Sequence, residues 1–210
     1  TLSAAHGACP QTITDAVMKT ILVTGASGYI GSHIAAFFAR SNYFVIGLDL
    51  IINKALLGRP NVMLVQGNCT DAKLVAEIFK KYPVHAVMHC ASFIEVGTSV
   101  IHPDSYYHNN LASTQTILNA MRTYGSAFLV FASSCAVYGN PLRIPIDEMH
   151  PTDPISPYGR TKRAIEWMLE DFSAAYNLKT VALRFFNAAG SWHEFGLGEC
   201  HMPETHLIPK

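Results

Sequence analysis

No sign of charge dominates this chain. Fifteen lysines and arginines face fifteen aspartates and glutamates, formal net charge is zero, and only 14% of the 210 residues are charged. No lysine or arginine run is present, so neither nucleic acid nor an anionic membrane is expected as the main partner. A charged ligand would have to be met by a few local groups. Cysteine is scarce and scattered: Cys9, Cys69, Cys90, Cys135 and Cys200 are odd in number and never in C-x-x-C spacing. That disfavours a disulfide framework or a zinc cluster and fits the reduced thiols of a cytoplasmic protein. His193, Glu194, Cys200, His201 and His206 gather near the end but match no ligand spacing, so no metal is expected. No apolar run is long enough to span a bilayer, and residues 1–17 lack the basic segment and apolar core of a secretory signal. These residues are expected to form a disordered extension before Met18. Internal repeats and low-complexity tracts are lacking as well.

Half the residues are hydrophobic, the composition of an α/β core covered on both faces. Short apolar runs predict strands at 20–24, 44–48, 62–65, 84–89, 127–132 and 180–184. Amphipathic stretches between them predict helices at 30–40, 71–82, 104–124 and 158–176. Alternation of this kind implies βαβ units with right-handed crossovers, hence a doubly wound parallel sheet, a Rossmann-type α/β fold. The expected division is a dinucleotide-binding domain over 18–190 and the start of a further, substrate-binding region over 191–210.

The first predicted strand runs into VTGASGYIGSH, with Gly25, Gly28 and Gly31 three apart. Ile30, Ile34, Phe37 and Phe38 follow at helical spacing, so the glycines occupy a strand-to-helix turn. Glycine there allows positive φ and a close ligand, and the helix N-terminus suits a phosphate. The spacing G-x-x-G-x-x-G differs from the common dinucleotide fingerprint, and alone it also fits an ordinary turn. Asp49 adds weight: it ends the second strand, 18 residues after Gly31, where a carboxylate can accept both ribose hydroxyls and repel a 2′-phosphate. NAD is therefore favoured, with Lys54 keeping NADP open. Asn68, after the third strand, could contact an adenine edge.

Tyr158-Gly159-Arg160-Thr161-Lys162 opens a helix after a proline-rich loop, and its i, i+4 spacing puts Tyr158 and Lys162 on one face. A phenol ordinarily ionises near pH 10; a neighbouring ammonium and a positively charged nicotinamide would bring it toward working pH. A strand-end serine from Ser133-Ser134 could bond a substrate hydroxyl. Serine, tyrosine and lysine then form a dehydrogenation site. A Ser-His-Asp hydrolase would leave the glycine turn unexplained and lacks a G-x-S-x-G elbow.

Taken together, TGASGYIGSH, HCASFIEVG, SSCAVYG, SPYGRTK and LRFFNAAG resemble the extended short-chain dehydrogenase/reductase family and, within it, the UDP-hexose 4-epimerases. The resemblance runs from about Met18 to the end. It implies NAD held by Gly25, Gly28, Tyr29, Ile30, Gly31, Asp49, Asn68, Cys69, Ala91, Asn109, Ser133, Tyr158, Lys162 and Phe185. It implies Ser134, Tyr158 and Lys162 as catalytic residues, and Ser134, Tyr158, Asn187, His206 and Leu207 against a UDP-hexose. The activity implied is inversion at C4 of the sugar through a transient 4-keto intermediate, in a homodimer whose two long helices pair. Other nucleotide-sugar epimerases or decarboxylases of the family, or a non-catalytic dinucleotide-binding fragment, are the alternatives. Related dehydratases carry an acidic pair where Cys135 and Ala136 stand here, so dehydration is disfavoured. Asn68, Leu50, Ile94 and Phe185 depart from residues common in the family, which bears on cofactor affinity. Family members continue beyond the ETHLIP segment with a smaller substrate-binding domain.

Overall fold

Apolar alternation in the strands decides how the layers form. The computed structural model describes residues 18–199. In order they form β1 (Thr20–Thr24), α1 (Tyr29–Arg40), β2 (Phe44–Asp49), β3 (Val62–Gln66), α2 (Ala72–Lys81) and β4 (Val84–His89). They continue with α3 (Val96–Ile101), α4 (Pro103–Tyr124), β5 (Phe128–Ser134), α5 (Pro157–Tyr176) and β6 (Lys179–Phe185), with short 3-10 turns at Cys135–Val137 and His193–Phe195. The strands join in one six-stranded sheet of order β3-β2-β1-β4-β5-β6, parallel throughout. The order reverses between β1 and β4, opening a crevice at their carboxyl ends.

Successive residues of β1 enter opposite cores, as a period of two requires. Ile21 and Val23 pack with α1 through Ala35, Ala36 and Ala39. Leu22 packs with Val75, Ile78 and Phe79 of α2, Ile117, Leu118 and Met121 of α4, and Ile165 and Leu169 of α5. A single helix with an alanine-rich inner face thus covers one side, and three helices cover the other. Each fully buried leucine or isoleucine contributes about 2 kcal/mol to this layering.

The doubly wound parallel sheet is as expected, and the strand and helix bounds agree within two residues. Two differences matter for the site. β5 runs on to Ser134 because its ladder with β6 continues through Ser133 opposite Arg184 and Ser134 opposite Phe185; both serines are strand residues. Helix α3 was not expected, since six residues give too little periodicity to register. The extension foreseen over 1–17 lies outside the described residues, as do Cys200, His201, His206 and Leu207. Among the described residues no helix is long and apolar enough to cross a membrane.

Candidate active site

The three glycines of the first turn do different work. Gly25 sits at φ +67°, and a Cβ there would come within 2.6 Å of the Ala91 backbone nitrogen. Its own N–H reaches Leu48 O at 2.9 Å, and Cys90 N–H reaches Thr24 O at 3.1 Å, so the crossing chains meet at backbone level. Gly31 lies within α1, and its Cβ would run into the Gly25 carbonyl. Gly28, the N-cap of α1, is exposed, and a Cβ there would touch only Gly25 O, at 3.4 Å. Gly25 and Gly31 therefore close the turn, while Gly28 leaves its outer face clear. No side chain caps α1, so its first N–H groups and the positive end of its dipole face that clear space. Tyr29 sends its hydroxyl to Gly190 O at 2.8 Å, tying the helix start to the segment after β6; Ile30 follows it, half-buried, in the first turn.

Asp49 ends β2 beside this turn. One carboxylate oxygen accepts the Ser27 N–H at 2.9 Å and the other faces Ile51 N–H at 3.4 Å, so the carboxylate is aimed while lone pairs remain for a ligand hydroxyl. At the end of β3, Asn68 turns its side-chain oxygen back onto Thr70 N–H at 2.9 Å. Cys69 is buried; burial first, with the charge of Asp49 adding, pushes its thiol up to about 12. After β4, Ala91 N–H bonds Thr24 Oγ1 at 3.3 Å.

Across the crevice stand β5, α5 and β6. Ser156 caps α5, accepting Gly159 N–H at 3.1 Å, and Pro157 occupies the first turn, as its fixed φ suits. Tyr158 N–H bonds Ser99 Oγ at 3.2 Å, so the unforeseen α3 positions the candidate base. Lys162 lies one turn on with only 2% of its surface exposed. Its ammonium donates to Ala132 O at 2.8 Å and stands 5.6 Å from the Tyr158 ring centre. Burial brings it down to about 7, although Cys90 and Glu166 pull upward.

The protein groups around Tyr158 act on its phenol in both directions. Its phenol is raised above the ordinary value by burial, with Cys135 and Tyr106 adding to the rise and the bond from Ser134 opposing it. The Lys162 ammonium, held on the Ala132 carbonyl, stays beside the Tyr158 ring. Ser134 is in reach of the phenol and accepts Ala136 N–H at 3.2 Å, while Phe185 sits opposite it on β6. The Ser133 hydroxyl donates inward to Glu166 at 2.6 Å, leaving its backbone for the crevice. Asn109 donates to the Asn110 side-chain oxygen at 3.1 Å, and Asn187 is exposed just past β6.

Residues 21–208 match the model of the NAD dependent epimerase/dehydratase family. The chain belongs to that family. Curated relatives include UDP-glucose 4-epimerases of Rhizobium leguminosarum bv. trifolii, 41% identical over 91% of this chain and 58% of the relative, and of Halalkalibacterium halodurans, 43% identical over 90% and 57%. Among solved structures, the Brucella ovis UDP-glucose 4-epimerase in complex with NAD superposes with a TM-score of 0.85 at 44% identity, covering 91% of this chain and 59% of that one. The Bifidobacterium longum enzyme in complex with NAD+ and UDP gives 0.82 at 35% identity, covering 86% and 57%. The chain thus spans less than two thirds of the length of the curated relatives it matches.

Within this epimerase/dehydratase domain several residues that shape the site carry no sequence motif. Asn110, 1% exposed, accepts Phe93 N–H at 2.8 Å and donates to Phe93 O at 3.2 Å and Thr161 Oγ1 at 3.1 Å, clamping the loop after β4 to α5. His89 bonds Thr24 through Nδ1 at 2.7 Å and Thr114 through Nε2 at 3.0 Å. Burial, then the charge of Lys162, lowers it to about 3, so it is a neutral core group. In the segment where no metal was expected, His193 pairs with Ser191 at 3.2 Å, and Glu194 faces Arg40 at 3.7 Å.

Proposed function

We propose that this chain carries the cofactor-binding and reacting portion of an NAD-dependent epimerase that inverts C4 of a UDP-hexose. The observation that carries the reading is the meeting of two unrelated features at one sheet edge. The uncapped α1 turn with its clear Gly28 face lies on one side of the β1/β4 crevice. The Ser134–Tyr158 pair with the buried Lys162 lies on the other. The family match and the NAD- and UDP-bound neighbours support it.

The residues fit NAD. The N–H groups of α1 suit a diphosphate and Asp49 suits ribose hydroxyls, while Gly28 leaves room for close approach. When bound, NAD supplies the acceptor, and later the donor, of a hydride at the sugar C4. Tyr158 takes the proton of the 4-hydroxyl and returns it when the carbonyl is reduced from its other face. Ser134, beside the phenol, holds the same oxygen on line. Lys162 opposes the rise that burial imposes on Tyr158 once its ammonium is free to turn from Ala132. The cytoplasmic location, the homodimer through α4 and α5, and the division into domains at about residue 190 belong to the same proposal.

Incubation with NAD and UDP-galactose, followed by chromatography, is expected to yield UDP-glucose, and Tyr158→Phe is expected to abolish it. Equal product from Tyr158→Phe would overturn the assignment of the base.

A further inference from the structure

Beneath Ser134 and Lys162 lies a buried ionic cluster that the mechanism above does not use. Glu166 is 3% exposed. One of its oxygens accepts Ser133 Oγ at 2.6 Å and Arg184 Nε at 3.0 Å. The other accepts Arg184 NH2 at 2.8 Å and Arg163 NH1 at 3.0 Å. The carboxylate therefore joins three pieces of backbone: α5 through itself and Arg163, β5 through Ser133, and β6 through Arg184. Ser133 immediately precedes Ser134, and Glu166 stands one helical turn beyond Lys162, on the same face.

We infer that Glu166 is a positioning residue for the reacting set: it locks the end of β5 that presents Ser134 against the helix that presents Tyr158 and Lys162, and it keeps a negative charge beneath the lysine. This rests on the assignment of Ser134, Tyr158 and Lys162 made above. Purely structural burial would not need the charge, since replacing a buried ion pair by apolar groups is often neutral or stabilising. Here the carboxylate is fully paired and kept ionised. Burial alone would raise it, but the bonds from Arg184, Ser133 and Arg163 outweigh that and hold it below the ordinary carboxylate range. The ionisable groups around the lysine are His89 and Cys90 from the β4 side and Tyr158 and Glu166 on its own helix. His89 is neutral and the Cys90 thiol is pushed up to about 12 by burial, so at neutral pH Glu166 is the counter-charge among them.

The test needs no turnover, so it stands apart from the outcome of the epimerase assay. Lysine labelled with 13C at Cε is incorporated in the full chain, and the Lys162 resonance, assigned by Lys162→Met, is followed against pH. In Glu166→Gln, which keeps the shape and loses the charge, the midpoint is expected to fall by about one pH unit, the effect of one nearby opposite charge. Glu166→Asp restores the charge and is expected to recover most of that fall. An unmoved midpoint in a folded Glu166→Gln overturns the proposal, as does a fall that Glu166→Asp does not reverse. Should Glu166→Gln not fold, Ser133→Ala decides: it cuts one bond and leaves the charge. The Lys162 midpoint is then expected to hold while the Tyr158 ring resonances broaden; unchanged tyrosine signals would refute the β5 lock.

Discussion

Replacing Gly31 by alanine sets two effects of opposite sign against each other. In an exposed helix the change stabilises by about 1 kcal/mol, because alanine loses less backbone entropy. At Gly31 the new methyl would collide with the Gly25 carbonyl and come within 3.1 Å of Ala26 Cα. Both are backbone atoms of a turn held by Gly25 N–H to Leu48 O at 2.9 Å and Gly28 N–H to Gly25 O at 3.1 Å, so no rotamer change relieves the contact. Relief requires α1 to move off the sheet, opening the packing of Ala35, Ala36 and Ala39 against β1, and overpacking of this kind costs about 3 kcal/mol. The net is a destabilisation of about 2 kcal/mol, or a Tm lower by roughly 4–8 °C for a domain of this size. Thermal denaturation followed by circular dichroism checks it. Gly28→Ala is the internal control, since its Cβ meets one atom at 3.4 Å: Tm is expected to stay within about 2 °C while NAD binding in calorimetry weakens at least tenfold. A Gly31→Ala protein that melts with or above the parent would refute the close-approach reasoning.

Three further outcomes follow from the same structure. His89, lowered to about 3 by burial, binds its proton more readily when unfolded, so it contributes stability that is complete above about pH 6.5 and lost as pH falls toward 3. Urea titrations should show stability falling on acidification, with a slope reduced by up to about 1.4 kcal/mol per pH unit in His89→Gln; an identical slope would contradict this. Removing one partner of the buried ion cluster, as in Arg184→Met, should destabilise by about 3 kcal/mol in the same assay because the buried Glu166 loses its two Arg184 bonds and keeps only Ser133 and Arg163, and a loss under about 1 kcal/mol would show that those two suffice. The Cys69 and Cys90 thiols, both pushed up to about 12 by burial, should resist a thiol reagent at pH 8, so peptide mapping should find Cys135 modified before either.

Much of the frame was legible because it depends on local periodicity. The runs TILVT and FVIGLD alternate between two cores, and the glycine turn announces the switch into α1. Tyr158 and Lys162 could be paired from spacing alone, because four residues make one turn. What stayed hidden depends on contacts remote in sequence. Ser133 is next to Ser134 in an undistinguished Ser-Ser pair, yet the pleat turns it to the opposite face, onto Glu166, 33 residues away. Ser99 meets Tyr158 across 59 residues, from a helix too short to show a period. The Lys162 ammonium is a further case: spacing places it near a phenol, but only the fold shows that it donates to Ala132 O.

The central claim is that hydrogen leaves and returns to one sugar carbon while Tyr158 moves its proton. UDP-galactose deuterated at C4, incubated with the chain and NAD, tests this by mass spectrometry of the product. Expected is UDP-glucose that retains the deuterium at C4, formed by the parent and not by Tyr158→Phe. UDP-glucose that has lost its deuterium to solvent would contradict it.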